Sequence, residues 1–488
     1  MARKQLLKHL SVYGLGGVLT NAISYFLLPL YTRVLTPVDY GTLTLINIAG
    51  AVVSAIVGLM VSSGFIRVYY DDADDNARAE LFGTAVWFTL GCGVLMSGSM
   101  AFLAEPLANA VFEFGQGETY LLLVTVSMSL FATSFVLYGL LMVQERSRLY
   151  ITINLLTITL MLTLTVIFVV VLDWSVLGVF RAQVIGRAVE LLILLTLLLR
   201  RGYLRFSFNA LGRMLYISGP LIPAQLCFLA LTLADRFFLQ GYKDLTEVGL
   251  YSLGYKLAAV MPILIVQPLK AWGPYIYSLK DSPEACRAAI VKMLRFYVAG
   301  VVLLALMISV YSREILMVMA DYEFWGAWQV VYVLCAGYML YGIMNVIAYG
   351  FHIVKKTWVL SIIIVSGSGL NIGLNFLMVP AHGMMGASIA SALSYVFIIL
   401  LYFICLKYVY PVRFQYGRML AAIGAGGLFY WLATLREFDF AVSVPLKTVC
   451  VLGAVAVLWW SGYFSADDKA LLRGGLQSAL RKLGLRSV

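Results

Sequence analysis

Charge is what this chain has least of. Asp, Glu, Lys and Arg make up 12% of its 488 residues, about half the share found in an ordinary soluble domain. Hydrophobic residues reach 62%, which excludes a soluble globular fold. Histidine is nearly absent: His9, His352 and His382 stand apart, so no metal centre or imidazole proton relay is expected. The six cysteines (Cys92, Cys227, Cys286, Cys335, Cys405 and Cys450) occur singly, without a CxxC pair, so neither a disulfide framework nor a thiolate metal site is expected. Also missing are the G-x-x-x-x-G-K-[ST] phosphate loop, the G-x-S-x-G elbow and the H-E-x-x-H pair. No bound cofactor and no enzymatic activity are expected, and a glycosyltransferase would need an acidic cluster or an extramembrane domain that the chain does not show.

What is present is apolar sequence in long runs. A bilayer core about 30 Å thick takes about 20 apolar residues per helix, and the chain supplies fourteen such runs: 10–30, 41–64, 81–104, 119–143, 151–172, 176–199, 215–240, 248–269, 296–312, 326–351, 357–379, 384–406, 419–435 and 445–464. The fold class is therefore an all-α polytopic membrane protein. The run 10–30 follows Arg3, Lys4 and Lys8, but it is too long for a signal core and no small-residue cleavage site follows, so it reads as the first span. The net charge of +11 resides in short basic clusters between spans. With the N-terminus inside, only Arg33, Lys243, Arg313, Arg436 and Lys447 fall in outer segments. The positive-inside rule then places both termini in the cytoplasm, and the lipid bilayer rather than a nucleic acid accounts for the basic balance.

The largest inner loop, from Lys270 to Arg295, contains Pro274 and Pro283 and has room for a short surface helix but not for a soluble domain. In the tail, Ser465 precedes Asp467 and Asp468 as a helix cap with acids in the first turn. Leu472, Leu476, Leu480 and Leu483 share one face of that helix, with Lys469, Arg473, Arg481 and Lys482 elsewhere, so a membrane-surface helix is expected.

The chain repeats itself at an offset of 208 residues. Thr36-Pro-Val-Asp39-Tyr-Gly41 aligns with Asp244-Leu-Thr-Glu247-Val-Gly249, Gly178 falls on Gly386, and Arg146 and Arg148 fall beside Lys355 and Lys356. The expected organisation is an N-terminal lobe over 1–208 (spans 1 to 6), a C-terminal lobe over 209–416 (spans 7 to 12), and spans 13 and 14 with the basic tail over 417–488. Two six-helix lobes of like orientation would flank a central cleft, as in transporters.

Six ionisable residues lie inside these spans beyond the first turn from either end: Arg181, Arg187, Glu190, Asp235, Arg236 and Lys256. A charge in hydrocarbon costs at least about 2.5 kcal/mol, so such residues usually face a bundle interior or a polar path. Their excess of positive charge points to an anionic cargo. Gln183, Arg187 and Glu190 are spaced i, i+4, i+7 on one helical face, while Arg181 lies about one turn from the outer end and can snorkel to the interface. Gln225, Thr232 and Arg236 form a second stripe, Ser252, Lys256 and Gln267 a third, and spans 1 and 2 add Asn21, Asn47 and Ser54. The simpler alternative is that Arg187 pairs with Glu190 and that Asp235 satisfies Arg236 or Lys256. The glycines from Gly367 to Gly373 read as close helix packing.

The segment Pro29-Leu-Tyr-Thr-Arg33-Val-Leu-Thr-Pro37-Val-Asp39-Tyr-Gly41 resembles the opening of the polysaccharide transporter family, which includes the Wzx-type O-antigen flippases. Ala234-Asp-Arg236-Phe-Phe-Leu and Val248-Gly-Leu-Tyr-Ser-Leu-Gly-Tyr-Lys256-Leu-Ala resemble that family's span 7 to 8 region. The resemblance places the chain in the multidrug, oligosaccharidyl-lipid and polysaccharide exporter superfamily. It implies a bacterial inner-membrane flippase moving undecaprenyl-diphosphate-linked oligosaccharide by alternating access, with Arg187, Arg236 and Lys256 on the anionic head group and Gln183, Gln225, Asn21 and Asn47 on its polar parts. It further implies a proton or sodium gradient as driving force, with Glu190 or Asp235 as the ion-coupling site, spans 13 and 14 beside the lipid tail, and a polysaccharide polymerase with its chain-length machinery as partners. The rival readings are a lipid II flippase, a cation-coupled multidrug antiporter of the same superfamily, and a membrane scaffold for a polymer synthase.

Overall fold

A computed structural model describes residues 25, 27–72, 74–111, 116–199, 205–219, 222–279, 281–436 and 439–482. Among the described residues the chain is helical throughout, without strands, and nine helices are long and apolar enough to cross a membrane. The protein is a multi-pass membrane protein. The expected first span, 10–30, lies almost wholly outside the described residues, as does Asn21.

After a helical stretch over 27–34, the elements are α1 (Pro37–Asp71), α2 (Asp75–Val111), α3 (Gly117–Val143), α4 (Ser147–Val166, closing in a π turn over Ile167–Val171), α5 (Ser175–Leu199), α6 (Phe208–Ser218), α7 (Ile222–Leu233), α8 (Asp235–Tyr242), α9 (Leu245–Ala258), α10 (Val260–Ser278), α11 (Pro283–Met319), α12 (Trp328–Ile353), α13 (Thr357–Val409), α14 (Tyr416–Thr434), α15 (Phe440–Trp460) and α16 (Ala466–Lys482). Two compact units result. The first comprises Met1–Leu253, Met319–Ala327 and Ile364–Ser391, and the second Gly254–Val318, Trp328–Ile363 and Ala392–Val488.

The structure corrects several sequence expectations. Span 8 is two helices, because Pro262 offers no N–H to the carbonyl of Ala258 and its ring crowds that carbonyl; α9 ends at Ala258 and α10 starts at Val260. Span 7 likewise tightens at Ala234, whose carbonyl takes the Phe237 amide at 3.0 Å in a three-residue turn. The inner segment between Lys270 and Arg295, where a short surface helix is expected, is helical over most of its length: α10 continues through Ser278, and α11 begins at Pro283, a residue suited to a first helical position. The glycine reading also fails at Gly369 and Gly373, where an added Cβ would meet open space.

The repeat is realised as matched local geometry. Thr36 and Asp39 form a reciprocal capping box at the start of α1, and Asp244 takes the Glu247 amide at 2.8 Å at the start of α9. These two helix starts pack against each other through their glycines. A Cβ on Gly41 would strike the Leu245 carbonyl, and one on Gly249 would strike the Pro37 carbonyl, the position 208 residues before Leu245. The basic turns match as well: Glu145 and Lys355 both take φ 57°, each closing a helix so that Arg146 bonds back to Leu141 and Lys356 to Phe351.

Expected spans 11 and 12 form the two arms of α13, which reverse at Gly383 (φ 53°, ψ −133°). Glycine is required there both by the positive φ and because a Cβ would meet the Glu247 carboxylate. That carboxylate accepts the Met384 amide at 2.8 Å and so caps the second arm. In the first unit, Val61, Phe65, Leu81, Val136, Leu137 and Met214 form a core joining α1, α2, α3 and α6. In the second, Leu306, Val310, Ala433 and Ala454 join α11, α14 and α15.

Candidate functional site

The intramembrane charges of the first unit are held as two arginine–carboxylate–tyrosine groups. On α5, Arg187 and Glu190 face the same side, and Nη1 of Arg187 donates to Glu190 at 2.8 Å. On α3, Phe131 and Tyr138 are seven residues apart and share a face. The Tyr138 hydroxyl donates to Glu190 at 2.7 Å, and the Arg187 guanidinium lies 4.2 Å from the Phe131 ring centre. Tyr150 of α4 packs on Tyr138 with ring centres 4.7 Å apart. Glu190 is wholly buried, whereas the Arg187 side chain keeps 20% of its surface exposed. Its Nε lies buried without a hydrogen-bond partner, so the carboxylate fixes the guanidinium without using all five of its donors. Gln183, one turn away on the same face, has an amide oxygen that is also buried and unpartnered.

The second group follows the tightened turn at Ala234. Arg236 donates from Nη1 to Asp235 at 2.6 Å and to the Thr232 carbonyl at 2.6 Å. The Tyr251 hydroxyl of α9 donates to the other Asp235 oxygen, and the Tyr251 ring lies 4.9 Å under the Arg236 guanidinium. Both charged side chains are buried, Arg236 to 3% exposure and Asp235 to 1%. The structure therefore pairs Glu190 and Asp235 each with an arginine of its own helix, the simpler of the two readings. A buried pair of this kind is strongly destabilised when one partner is removed.

The remaining expected site residues are held by contacts of their own or stand on other helices. Lys256 is half-buried on α9 in the second unit, in line with Ser252, while Gln267 falls beyond the break at Ala259 and its side chain is outside the described residues. Asn47 turns its amide back to the Leu43 carbonyl at 2.7 Å, and Gln225 is exposed. Arg181 stacks 4.5 Å over the Trp174 ring, the behaviour expected of an interfacial arginine.

Two polar clusters escaped the sequence reading. In the second unit, Glu314 of α11 accepts from Lys447 and Ser443 of α15, both at 2.6 Å, and all three are largely buried. In the first unit, buried Asn371 and Asn375 lie one turn apart on α13, where Asn375 donates to Asn371 and Asn371 to Ser391. The i, i+4 asparagines were a visible signal. The Glu314 pair was not, because each partner resembles an ordinary span-end charge.

Among the described residues no group of histidine, cysteine and acidic side chains could hold a metal ion. Outside the spans, the tail helix is anchored by a capping box between Ser465 and Asp468 and by an ion pair from Arg295 to Asp468. Burial alone would raise the Asp468 carboxyl, but the Ser465 hydroxyl and amide together with the Arg295 guanidinium hold it below its ordinary value. The Leu476 and Leu480 side chains of this helix, and residue Leu483 altogether, are outside the described residues.

Long apolar helices, paired charges within them and a duplicated pattern of caps and turns define a helical, multi-pass membrane protein. The chain belongs to the polysaccharide biosynthesis protein family, which it matches over residues 30–325. Its fold is similar to that of the lipid II flippase MurJ in an inward closed conformation, with 12% identity and a TM-score of 0.70 over 91% of this chain and 98% of that one. It is similar also to an inward-facing multidrug resistance MATE family transporter of the MOP superfamily, with 14% identity and a TM-score of 0.66 over 80% and 95% of the two chains. A MOP superfamily transporter from Pyrococcus furiosus matches at 13% identity and a TM-score of 0.59 over 82% and 96%. A search of curated protein sequences returns no significant match.

Proposed function

We propose that the protein is a flippase that carries undecaprenyl-diphosphate-linked oligosaccharide units across the bacterial cytoplasmic membrane, by alternating access, for surface polysaccharide synthesis. The observation that carries this reading is Arg187: a guanidinium at membrane depth, oriented by a fully buried carboxylate, with surface still open and Nε uncommitted. Arginine offers paired donors that match phosphate oxygens, and a diphosphate passing through low dielectric needs such a partner. Membership of a polysaccharide biosynthesis family favours a glycan cargo over a drug, and the shared fold with a lipid II flippase supports a lipid-linked one. Gln183 beside Arg187 suits sugar hydroxyls. Glu190 and Asp235 act in this reading as counter-ions, and coupling to a proton or sodium gradient at either would require its arginine pair to open.

The test is complementation of a strain lacking its polysaccharide flippase with Arg187→Ala, Arg236→Ala and Lys256→Ala, scoring surface polymer against protein level in the membrane. Arg187→Ala should lose polymer well beyond any fall in its protein level, a fall expected because Glu190 is left uncompensated. Full export by all three variants would refute the reading and favour a scaffold.

A further inference from the structure

The first unit contains a cavity of about 620 Å³ that takes no part in the groups described above. It opens where the end of α1, the start of α2, the end of α3 and the segment before α6 meet. Its walls include Tyr69, Asp75, Arg78, Gln144, Arg146 and Arg205. The three arginines come from three separate segments, and one aspartate is the only acid among the lining residues, so the cavity carries a net positive charge.

Two of the three arginines follow defined local structure. Arg78 donates from Nε to the Tyr69 carbonyl at 3.3 Å, lies 5.1 Å from the Tyr69 ring centre and meets Asp75 at 3.4 Å. Arg146 follows Glu145, whose left-handed conformation closes α3 and fixes the direction of the chain. Beside them the Gln144 amide oxygen is buried with no hydrogen-bond partner, which leaves an acceptor position open to a hydroxyl donor. A volume of this size is in the range of organic ligands rather than of a single ion.

The duplication repeats the feature. In the second unit a cavity of about 740 Å³ is lined by Glu284, Arg287 and Arg413, which stand at the offset of 208 from Asn76, Ala79 and Arg205 of the first cavity. It differs in its other walls: Asp467 and Asp468 join Glu284 there, and its buried unpartnered atoms are Nε of Arg287 and of Arg295 rather than an amide oxygen.

We propose that the cavity of the first unit is a binding site for the phosphate-bearing, hydroxylated headgroup of a membrane lipid in the cytoplasmic leaflet. Arg78, Arg146 and Arg205 hold the phosphate, and Gln144 accepts a hydroxyl from the glycerol or sugar attached to it. The leaflet follows from the orientation in which the basic segments face the cytoplasm. The site lies outside the Arg187 and Arg236 groups and does not depend on which cargo they carry.

The test uses the full-length protein in detergent, with lipid retention read by native mass spectrometry. The probes are phosphatidylglycerol, phosphatidylcholine, undecaprenyl diphosphate and inorganic pyrophosphate. Wild type should retain phosphatidylglycerol or undecaprenyl diphosphate over phosphatidylcholine, the preferred lipid naming the source of the phosphate. Arg146→Gln/Arg205→Gln should lose at least about tenfold in that retention, the scale of two charge-assisted bonds. Arg146→Lys/Arg205→Lys should recover part of it, and Arg148→Gln, in the same turn but outside the cavity lining, should change nothing. Equal retention by the glutamine double variant, no preference over phosphatidylcholine, or binding of pyrophosphate without either lipid would overturn the proposal. Export is not the readout, so failure of the cargo assignment would leave this result intact, and the reverse.

Discussion

The Arg187–Glu190 pair allows structural and transport roles to be separated by one double-mutant cycle. Glu190→Gln removes the charge that receives Arg187 at 2.8 Å and Tyr138 at 2.7 Å, while the new amide still offers an acceptor to the tyrosine. Leaving one member of a buried pair uncompensated costs about 3 to 5 kcal/mol. Arg187 retains some exposure and the Phe131 ring at 4.2 Å, so the lower end, about 3 kcal/mol, is expected. Arg187→Gln strands Glu190, which is fully buried, and should cost about 5 kcal/mol. The double variant removes both charges and should recover most of the loss, giving a coupling of at least about 2 kcal/mol. Thermal unfolding in detergent measures the stability side, and polymer export in the complementation strain measures the other. If Arg187 grips cargo, the double variant is stable but inactive. A stable double variant that exports as well as wild type would sink the cargo role of Arg187 and leave the pair as a structural clamp.

Three other sites give independent expectations. Gly249→Ala should destabilise the protein by about 1 to 3 kcal/mol, despite the better helix propensity of alanine, because the added Cβ meets the Pro37 backbone carbonyl and no flexible side chain can yield; unchanged thermal stability would contradict the reciprocal packing of the two repeats. Lys447→Met should leave Glu314 uncompensated and lower stability by about 3 kcal/mol, and Lys447→Met/Glu314→Gln should recover it, both read from unfolding in detergent. For Asp468, the folded carboxyl titrates below its ordinary value of about 4. Its contribution to tail anchoring is thus complete above that value and is lost as pH falls through the lower folded-state value. Trypsin cleavage at Lys469 should therefore stay slow in wild type at neutral pH and become fast in Asp468→Asn; equal rates would show that Arg295 and Ser465 do not hold the helix.

Much of the architecture was legible because it is written in short-range terms. Apolar run length sets membrane spans, and the Thr36, Asp39 and Gly41 spacing recurs at Asp244, Glu247 and Gly249 because the same cap and the same close glycine contact are built twice. Arg187 and Glu190 were readable as a pair from their i, i+3 spacing on one helix. Their tyrosine was not, since Tyr138 is 52 residues away in sequence and only the packing of α3 on α5 brings it near. The same holds for Glu314 and Lys447, separated by 133 residues. The prolines misled in both directions: Pro262 does end a helix, while Pro268 and Pro274 sit inside α10, so that composition alone suggested a loop where a helix continues.

The two arginine groups of the first unit look alike in sequence, yet their burial assigns them different work. Arg187 pairs with one acid through a hydrogen bond from Nη1 and keeps a fifth of its side-chain surface open. Arg236 has Nη1 committed to both Asp235 and the Thr232 carbonyl, lies over the Tyr251 ring and is 3% exposed. A cargo phosphate could reach Arg187 without displacing Glu190, whereas reaching Arg236 would mean opening a pair already sealed by α9. Arg187→Ala should therefore reduce export in proportion far beyond its effect on protein level, and Arg236→Ala should reduce protein level and thermal stability first, with export per molecule nearly kept. Arg236→Ala/Asp235→Ala should then regain both stability and export. An Arg236→Ala protein present at wild-type level, stable but unable to export, would reverse this assignment and make Arg236 the residue that meets the anionic head group.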